Sequence, residues 1–224
     1  PDDNFARLWG MYPDACVTAI SRHQWSAYPQ LQPAAVVPHG VDVSQFTFRE
    51  KPDDYVCFLG RFTSGKGALE AIAVARKLGL RLVMAGPSNP YFEKHVQPLV
   101  DGDAVQYIGS VNSAGRNKLL GGARALIYPI QHPEPFGLVL VEAMLCGTPV
   151  AAMRLGAVPE IVEENITGCT AATAAEFSNA VVRSLSLDRR QVRQRAEQCF
   201  SVKRMVEGYL QVYEQAITAS QKKL

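Results

Sequence analysis

Four charged side chains stand at spacings that can do chemistry together. Two are carboxylates, Glu134 and Glu142, in HPEPFGLVLVEAMLCGTPV (132–150), and two are cations, Arg61 and Lys66, in GRFTSGKG (60–67). Glu142 interrupts GLVLVEAMLC (137–146), a run apolar on every side. A Glu inside such a helix is costly unless it is paired or hydrogen-bonded. It falls in the second turn, so its side chain leans back toward the helix N-terminus, where PEPFGL leaves backbone N–H groups free. Amides there suit a phosphate or sugar oxygen, and carboxylates accept from vicinal hydroxyls. A ligand that uses all of them carries both anionic phosphates and neutral hydroxyls, as a sugar nucleotide does. The plain alternative is Glu142 buried against an Arg of the same domain, with Glu134 exposed to solvent.

The 60–67 loop meets seven of the eight positions of a phosphate-binding P-loop. The eighth needs a Ser or Thr oxygen for magnesium and is instead Gly67. No later strand ends in the Asp that would hold the metal, so a P-loop ATPase is disfavoured. Arg grips phosphate bidentately and Lys acts as a mobile point charge. Arg61 and Lys66 could therefore neutralise a diphosphate without a metal; the alternative is two solvated charges. His39 and His95 have no second ligand at metal spacing, and His132 reads as a polar loop residue.

Strand-like and helix-like stretches that would position these residues alternate from about residue 54. YVCFLG (55–60), LRLVMAG (80–86), AVQYIG (104–109), ALIYP (125–129), PVAAM (149–153) and the short TGCTA (167–171) read as extended. Between them, 67–79 carries apolar residues at 68, 69, 72, 75 and 78 and closes at Gly79. NPYFEKHVQPLV (89–100) is a short helix interrupted by Pro98, AGRNKLLGGA (114–123) a helix with weak ends, and 137–147 a helix. AVPEIVEEN (157–165) is a further short one, and the chain is helical from Ala174 to about Ser220. There Met205, Tyr209, Val212, Tyr213 and Ala216 form one apolar face. This alternation predicts an α/β fold, a parallel sheet with helices on both faces. The first 36 residues differ, with a strand at ACVTAIS (15–21) and a Pro-rich, linker-like stretch after it, so a domain boundary is expected near 36–41.

The 224 residues carry a net charge of +2, with 47% hydrophobic and 20% charged residues, an ordinary soluble composition with no call for a nucleic-acid partner. From Arg183 onward nine Lys/Arg face four Asp/Glu, a local +5 that leaves −3 for the first 182 residues. A solvated helix face explains this more simply than an acidic partner or membrane surface. Five scattered cysteines without a CxxC pair fit free thiols in a reducing cytosol, so a cytoplasmic location is expected. No apolar run approaches the roughly 18 residues of a membrane span. The start at Pro1, followed closely by an interior-looking strand, predicts that an N-terminal part is missing.

GRFTSGKG, LVMAGP, QYIGSV, LIYPIQHPEPFGLVLVEAMLCGTPVAA and GAVPEIVEENITG occur in this order. Over about residues 15–215 the set resembles the C-terminal half of the retaining glycosyltransferases of family 4, which have the GT-B fold. Glu134 and Glu142 match that family's Glu-x7-Glu motif, and VVPHGVD its inter-domain linker, with His39 where Asn is commoner. The resemblance implies a Rossmann-like donor-binding domain over 37–224 with a C-terminal crossover helix. Residues 1–36 would be the remnant of the acceptor domain and linker. It further implies that Arg61 and Lys66 bind the donor diphosphate and Glu134 the transferred sugar, these three forming the catalytic set. Gly60 and the amides of Phe136, Gly137 and Leu138 would touch sugar and phosphates, and Glu142 the ribose. The base would lie near Ile108, Val111 and Ser113, with Arg116 adding a contact. No divalent metal or other cofactor is expected, and peripheral membrane contact follows if the acceptor is a lipid. A sugar-nucleotide epimerase of the same fold and a non-catalytic sugar-nucleotide binding module are the alternative readings.

Overall fold

In the computed structural model, which describes residues 7, 10–12, 15–26, 28 and 33–221, the alternating stretches become a six-stranded parallel sheet. Ahead of it, β1 (Thr18–Ala19) and β2 (Ala35–Val36) form a separate parallel pair around the short helix α1 (Arg22–Ser26). The strand expected over 15–21 is thus confined to two residues, and 29–32 of the expected linker lie outside the described residues. The main sheet contains β3 (Val56–Leu59), β4 (Leu82–Ala85), β5 (Val105–Tyr107), β6 (Leu126–Tyr128), β7 (Val150–Met153) and β8 (Gly168–Ala171). Their order in space is β5-β4-β3-β6-β7-β8. The chain winds outward from β3 to β5, crosses back, and winds outward the other way from β6 to β8. The crevice between β3 and β6 is where the winding reverses, and ligands bind at the carboxyl ends of strands at such a point.

Successive residues of each strand point to opposite faces, and each face has its own apolar core. Val56, Phe58, Leu82, Met84 and Ile127 pack with α2 (Ala68–Lys77) and α6 (Ala174–Ser184). Cys57, Val83, Ala85, Leu126 and Tyr128 pack on the other face with α3 (Ser113–Gly122), α4 (Leu138–Leu145) and α7 (Arg189–Phe200). The short α5 (Val158–Ile161) follows β7. Local signals set the ends. Helix α2 stops before Gly79, at φ 63°, a left-handed conformation that glycine reaches without cost. Helix α3 begins at Asn112, whose side chain accepts from the Gly115 amide at 2.9 Å, so the start that looked weak in sequence is capped. Pro98 cannot continue a helical ladder, and the segment there divides into Phe92–Val96, wound as a π-turn, and a 3-10 turn at Gln97–Leu99.

The C-terminal helical third is three helices. Thr173 and Asp188 cap α6 and α7, and a break at Ser201 starts α8 (Val202–Gln221). The apolar face expected on α8 needs correction. Val212 is buried, but Tyr213 is 59% exposed and shares an outward stripe with Val202, Val206, Leu210 and Ile217. The inward side is narrower because α8 packs on the chain at residues 37–40. Gly208 lies against Val37 there, and Met205 sulfur accepts from the Gly40 amide. Among the described residues no helix is long and apolar enough to cross a membrane. All five cysteines are free, three of them buried.

Among the described residues, the C-terminal arginines are held within the fold. Arg183 pairs with Glu164, Arg190 with Glu50 and Arg195 with Glu163. Arg189, half-buried, donates to the carbonyls of Arg49, Ala123 and Gly121, each at 2.8 Å, and to the Thr148 hydroxyl at 3.0 Å. It thereby closes the C-terminal end of α3 and ties the 49 loop to α7; burial lowers its pKa to about 10. Arg189→Met removes this donor, leaving the Ala123 carbonyl only a long 3.5 Å contact from the Thr148 hydroxyl, and is expected to cost about 3 kcal/mol of unfolding free energy. The loss should appear as a lower urea midpoint at unchanged slope. A loss under about 1 kcal/mol would mean that water replaces the guanidinium.

Candidate functional site

The two chemically loaded loops are far apart in sequence and meet because β3 and β6 are neighbours. The 60–67 loop leaves the carboxyl end of β3, and 129–137 leaves that of β6. Close backbone joinery locks them together. The Gln131 amide donates to the Gly65 carbonyl at 2.9 Å. A Cβ on Gly65 would come within 2.7 Å of the His132 ring, and one on Gly67 within 1.9 Å of the Pro129 carbonyl oxygen. Gly67 also sits at φ 74°. No serine or threonine fits there, so the position where a P-loop needs its hydroxyl is a packing glycine. A third contact fixes the carboxylate loop from behind. The Ala157 amide donates to the Glu134 carbonyl at 2.8 Å, and a Cβ on Gly156 would lie 2.3 Å from the Glu134 nitrogen. The N-terminal unit braces the same loop, with Ser21 Oγ donating to the Pro135 carbonyl at 2.6 Å.

Within this frame Lys66 Nζ forms an ion pair with Glu134 Oε2. The Tyr128 hydroxyl donates to that same oxygen at 2.8 Å. Burial pushes the Glu134 carboxyl up, but the hydrogen bonds from Lys66 and Tyr128 and the charges of Lys66 and Arg61 outweigh it and hold the group below its ordinary value. Tyr128 is only 4% exposed, and burial beside a carboxylate drives its phenol far above the ordinary range. It therefore stays a neutral donor. A cleft of about 280 Å³ opens here, with Gly60, Arg61, Lys66, Glu134, Gly137 and Leu138 on its walls.

A second opening of about 400 Å³ adjoins the first and shares Leu59, Gly60 and Val139 with it. Val111, Ser113, Arg116 and Glu142 line this end. Glu142 reaches it from α4 and pairs with Arg116 of α3 at 2.6 Å. The two sequence readings of Glu142 therefore merge: it is paired with an Arg of its own domain, and the pair forms the wall of a groove. Glu134, in contrast, is paired and only 24% exposed. The helix behind both carboxylates starts at Gly137, at φ 92° and without a side-chain cap, so its first amides face the cleft end of the helix with their dipole.

One predicted residue sits elsewhere. Ile108 is 48% exposed beyond β5 and is absent from both linings. The Phe136 side chain is buried, edge-on to His39 and Phe200, which leaves only its backbone for a ligand. Sequence reasoning missed Tyr128, Val139, Asn112 and Gly156. Tyr128 had one signal, its place as the last residue of a strand at the carboxyl edge. Gly156 had none, because its partner is the backbone of residue 134.

The sequence pattern of the family described as Glycosyl transferases group 1 matches residues 42–199. A D-inositol 3-phosphate glycosyltransferase of Saccharomonospora viridis is 29% identical over 97% of this chain. The chain spans 54% of that relative, about half its length. The crystal structure of a glycosyltransferase involved in avilamycin A biosynthesis superposes with a TM-score of 0.76 at 29% identity, over 89% of this chain and 64% of that one. Anabaena HepE in complex with UDP-glucose shares the fold, with a TM-score of 0.74 at 20% identity over 91% and 64% of the two chains.

The Glu142–Arg116 pair gives a pH-dependent prediction. Burial holds the Glu142 carboxyl above its ordinary value, and Arg116 pulls it only part of the way back. A raised value in the fold means that folding disfavours the charged form, so the penalty is present at neutral pH and is relieved as pH falls through that value. Arg116→Leu removes the compensating charge. Near neutral pH it is expected to cost roughly 2 kcal/mol, less than a fully buried pair because Arg116 is partly exposed. The deficit should be smaller in acid solution than at neutral pH, as Glu142 takes up a proton. Chemical unfolding of both proteins at the two pH values checks it, and a deficit that stays constant contradicts it.

Proposed function

Because the chain belongs to the group 1 glycosyl transferases, of GT-B fold, we propose that it is the donor-binding half of a retaining enzyme. The enzyme moves a sugar from a nucleoside-diphosphate sugar to an acceptor. The observation that carries this reading is the pairing of unlike ends in one groove. Arg61 and Lys66 stand at one end with the free amides of α4, and the Glu142–Arg116 pair at the other. A diphosphate fits the first end and a nucleoside the second, with Glu142 accepting from ribose hydroxyls and Val111 and Ser113 beside the base. Glu134 then faces the sugar. The UDP-glucose complex of the Anabaena fold relative supports a donor of this class.

The bond that breaks joins the anomeric carbon to the β-phosphate oxygen, and negative charge grows on that oxygen. On this reading Arg61, the amides at the start of α4, and Lys66 once it turns from Glu134 stabilise that charge, and such donors supply the main electrostatic contribution to a transfer. Transfer needs no divalent metal on this reading, since the two side chains provide the positive charge. Retention follows from Glu134 in one of two ways. It attacks the anomeric carbon and is then displaced by the acceptor, or it holds the sugar while the acceptor enters on the face the diphosphate leaves; trapping a glycosyl-enzyme separates them. The acceptor is bound by a further N-terminal domain, the enzyme works in the cytoplasm, and a lipid acceptor would bring it to the membrane surface.

In the full-length protein, Lys66→Ala is expected to slow transfer by about 10²–10³-fold, as for a lost charge-stabilising donor. Glu142→Ala should chiefly raise the KM for the donor. Wild-type rates in both variants would refute the assignment. A thermal-shift panel of UDP-, GDP- and ADP-sugars identifies the base, because a ligand of the folded state raises the melting temperature.

A further inference from the structure

Glu134 is asymmetrically held. Both its partners, Lys66 and Tyr128, bind Oε2, and Oε1 takes no hydrogen bond among the described residues. An anionic diphosphate entering the cleft that Lys66 lines competes with Glu134 for its ammonium. The Tyr128 hydroxyl, by contrast, is fixed at the end of a central strand and lies under the start of α4, where a Cβ on Gly137 would touch it at 3.4 Å. We propose that Tyr128 is a positioning residue, whose hydroxyl holds Oε2 of Glu134 so that Oε1 stays turned to the donor sugar after Lys66 has moved to the diphosphate. This rests on the reading of the cleft as a nucleotide-sugar site. The role differs from that of the cleft cations, because Tyr128, although it forms part of the cleft wall, carries no charge for the diphosphate and its hydroxyl donates to Glu134. The other charged groups facing that carboxylate are Lys66 and Arg61 from the 60–67 loop, while the 156–157 turn behind it presents backbone.

Tyr128→Phe keeps the ring and removes only the hydroxyl. In the full-length protein, with the donor found by the sugar-nucleotide panel, kcat is expected to fall about 10- to 100-fold, the range for a hydrogen bond to a charged group. Affinity for the matching nucleoside diphosphate, which lacks the sugar, should stay within about threefold. The acid limb of kcat should move to higher pH, since Glu134 loses one of the contacts that keep it ionised. A double-mutant cycle guards against a general structural effect: in a Glu134→Gln background the added Tyr128→Phe should change residual kcat little. Unchanged kcat and acid limb in Tyr128→Phe, or an equal loss in both backgrounds, would overturn the role. A wild-type protein that neither binds any sugar nucleotide of the panel nor transfers would refute the reading of the cleft itself.

Discussion

The ion pair between Lys66 and Glu134 is the contact on which the site depends. It joins the loop after β3 to the loop after β6 across the point where the sheet reverses its winding. Each partner alone would be a poor fit to its surroundings. Glu134 is partly buried, which raises the cost of its charge, and Lys66 is 22% exposed on a turn of three residues. Together they hold each other in an arrangement that a ligand can take over group by group. On the proposed function, a diphosphate offers Lys66 more charge than Glu134 does, and a sugar offers Glu134 hydroxyls.

Backbone contact makes that arrangement rigid. Gly65, Gly67 and Gly156 each sit where a Cβ would strike a neighbouring loop, so three strand-end loops touch main chain to main chain. The charged side chains project from a surface that cannot spread, which is what preorganisation requires. The same principle operates at the far end of the groove, where Arg189 and the Asn112 cap fasten both ends of α3 and so hold Arg116 against Glu142.

Much of this was legible in the sequence. The α/β alternation, the strand ends and the pair of carboxylates followed from period and spacing, because parallel strands and buried helices leave strong local patterns. What stayed hidden was pairing across loops. Glu142 could be recognised as a carboxylate that needs a partner, yet nothing local selects Arg116, 26 residues away. Gly67 looked like a defective metal-binding position until Pro129 explained it. Ile108 lies near the right strand end but outside the groove, since which side a residue faces depends on the turn that carries it. On α8 the apolar residues run nearly around the helix, and periodicity alone could not decide which side packs on residues 37–40.

On the proposed function, Lys66 is shared: it pairs with Glu134 and passes to the diphosphate when the donor binds. Calorimetric titration of the full-length protein and its Glu134→Gln variant with a nucleoside diphosphate lacking the sugar tests this most directly. Loss of the carboxylate frees Lys66 and removes a repelling charge, so the variant should bind the nucleoside diphosphate about tenfold more tightly, the scale of one partly exposed charge interaction, while its transfer rate falls. Equal or weaker binding by Glu134→Gln would contradict the claim.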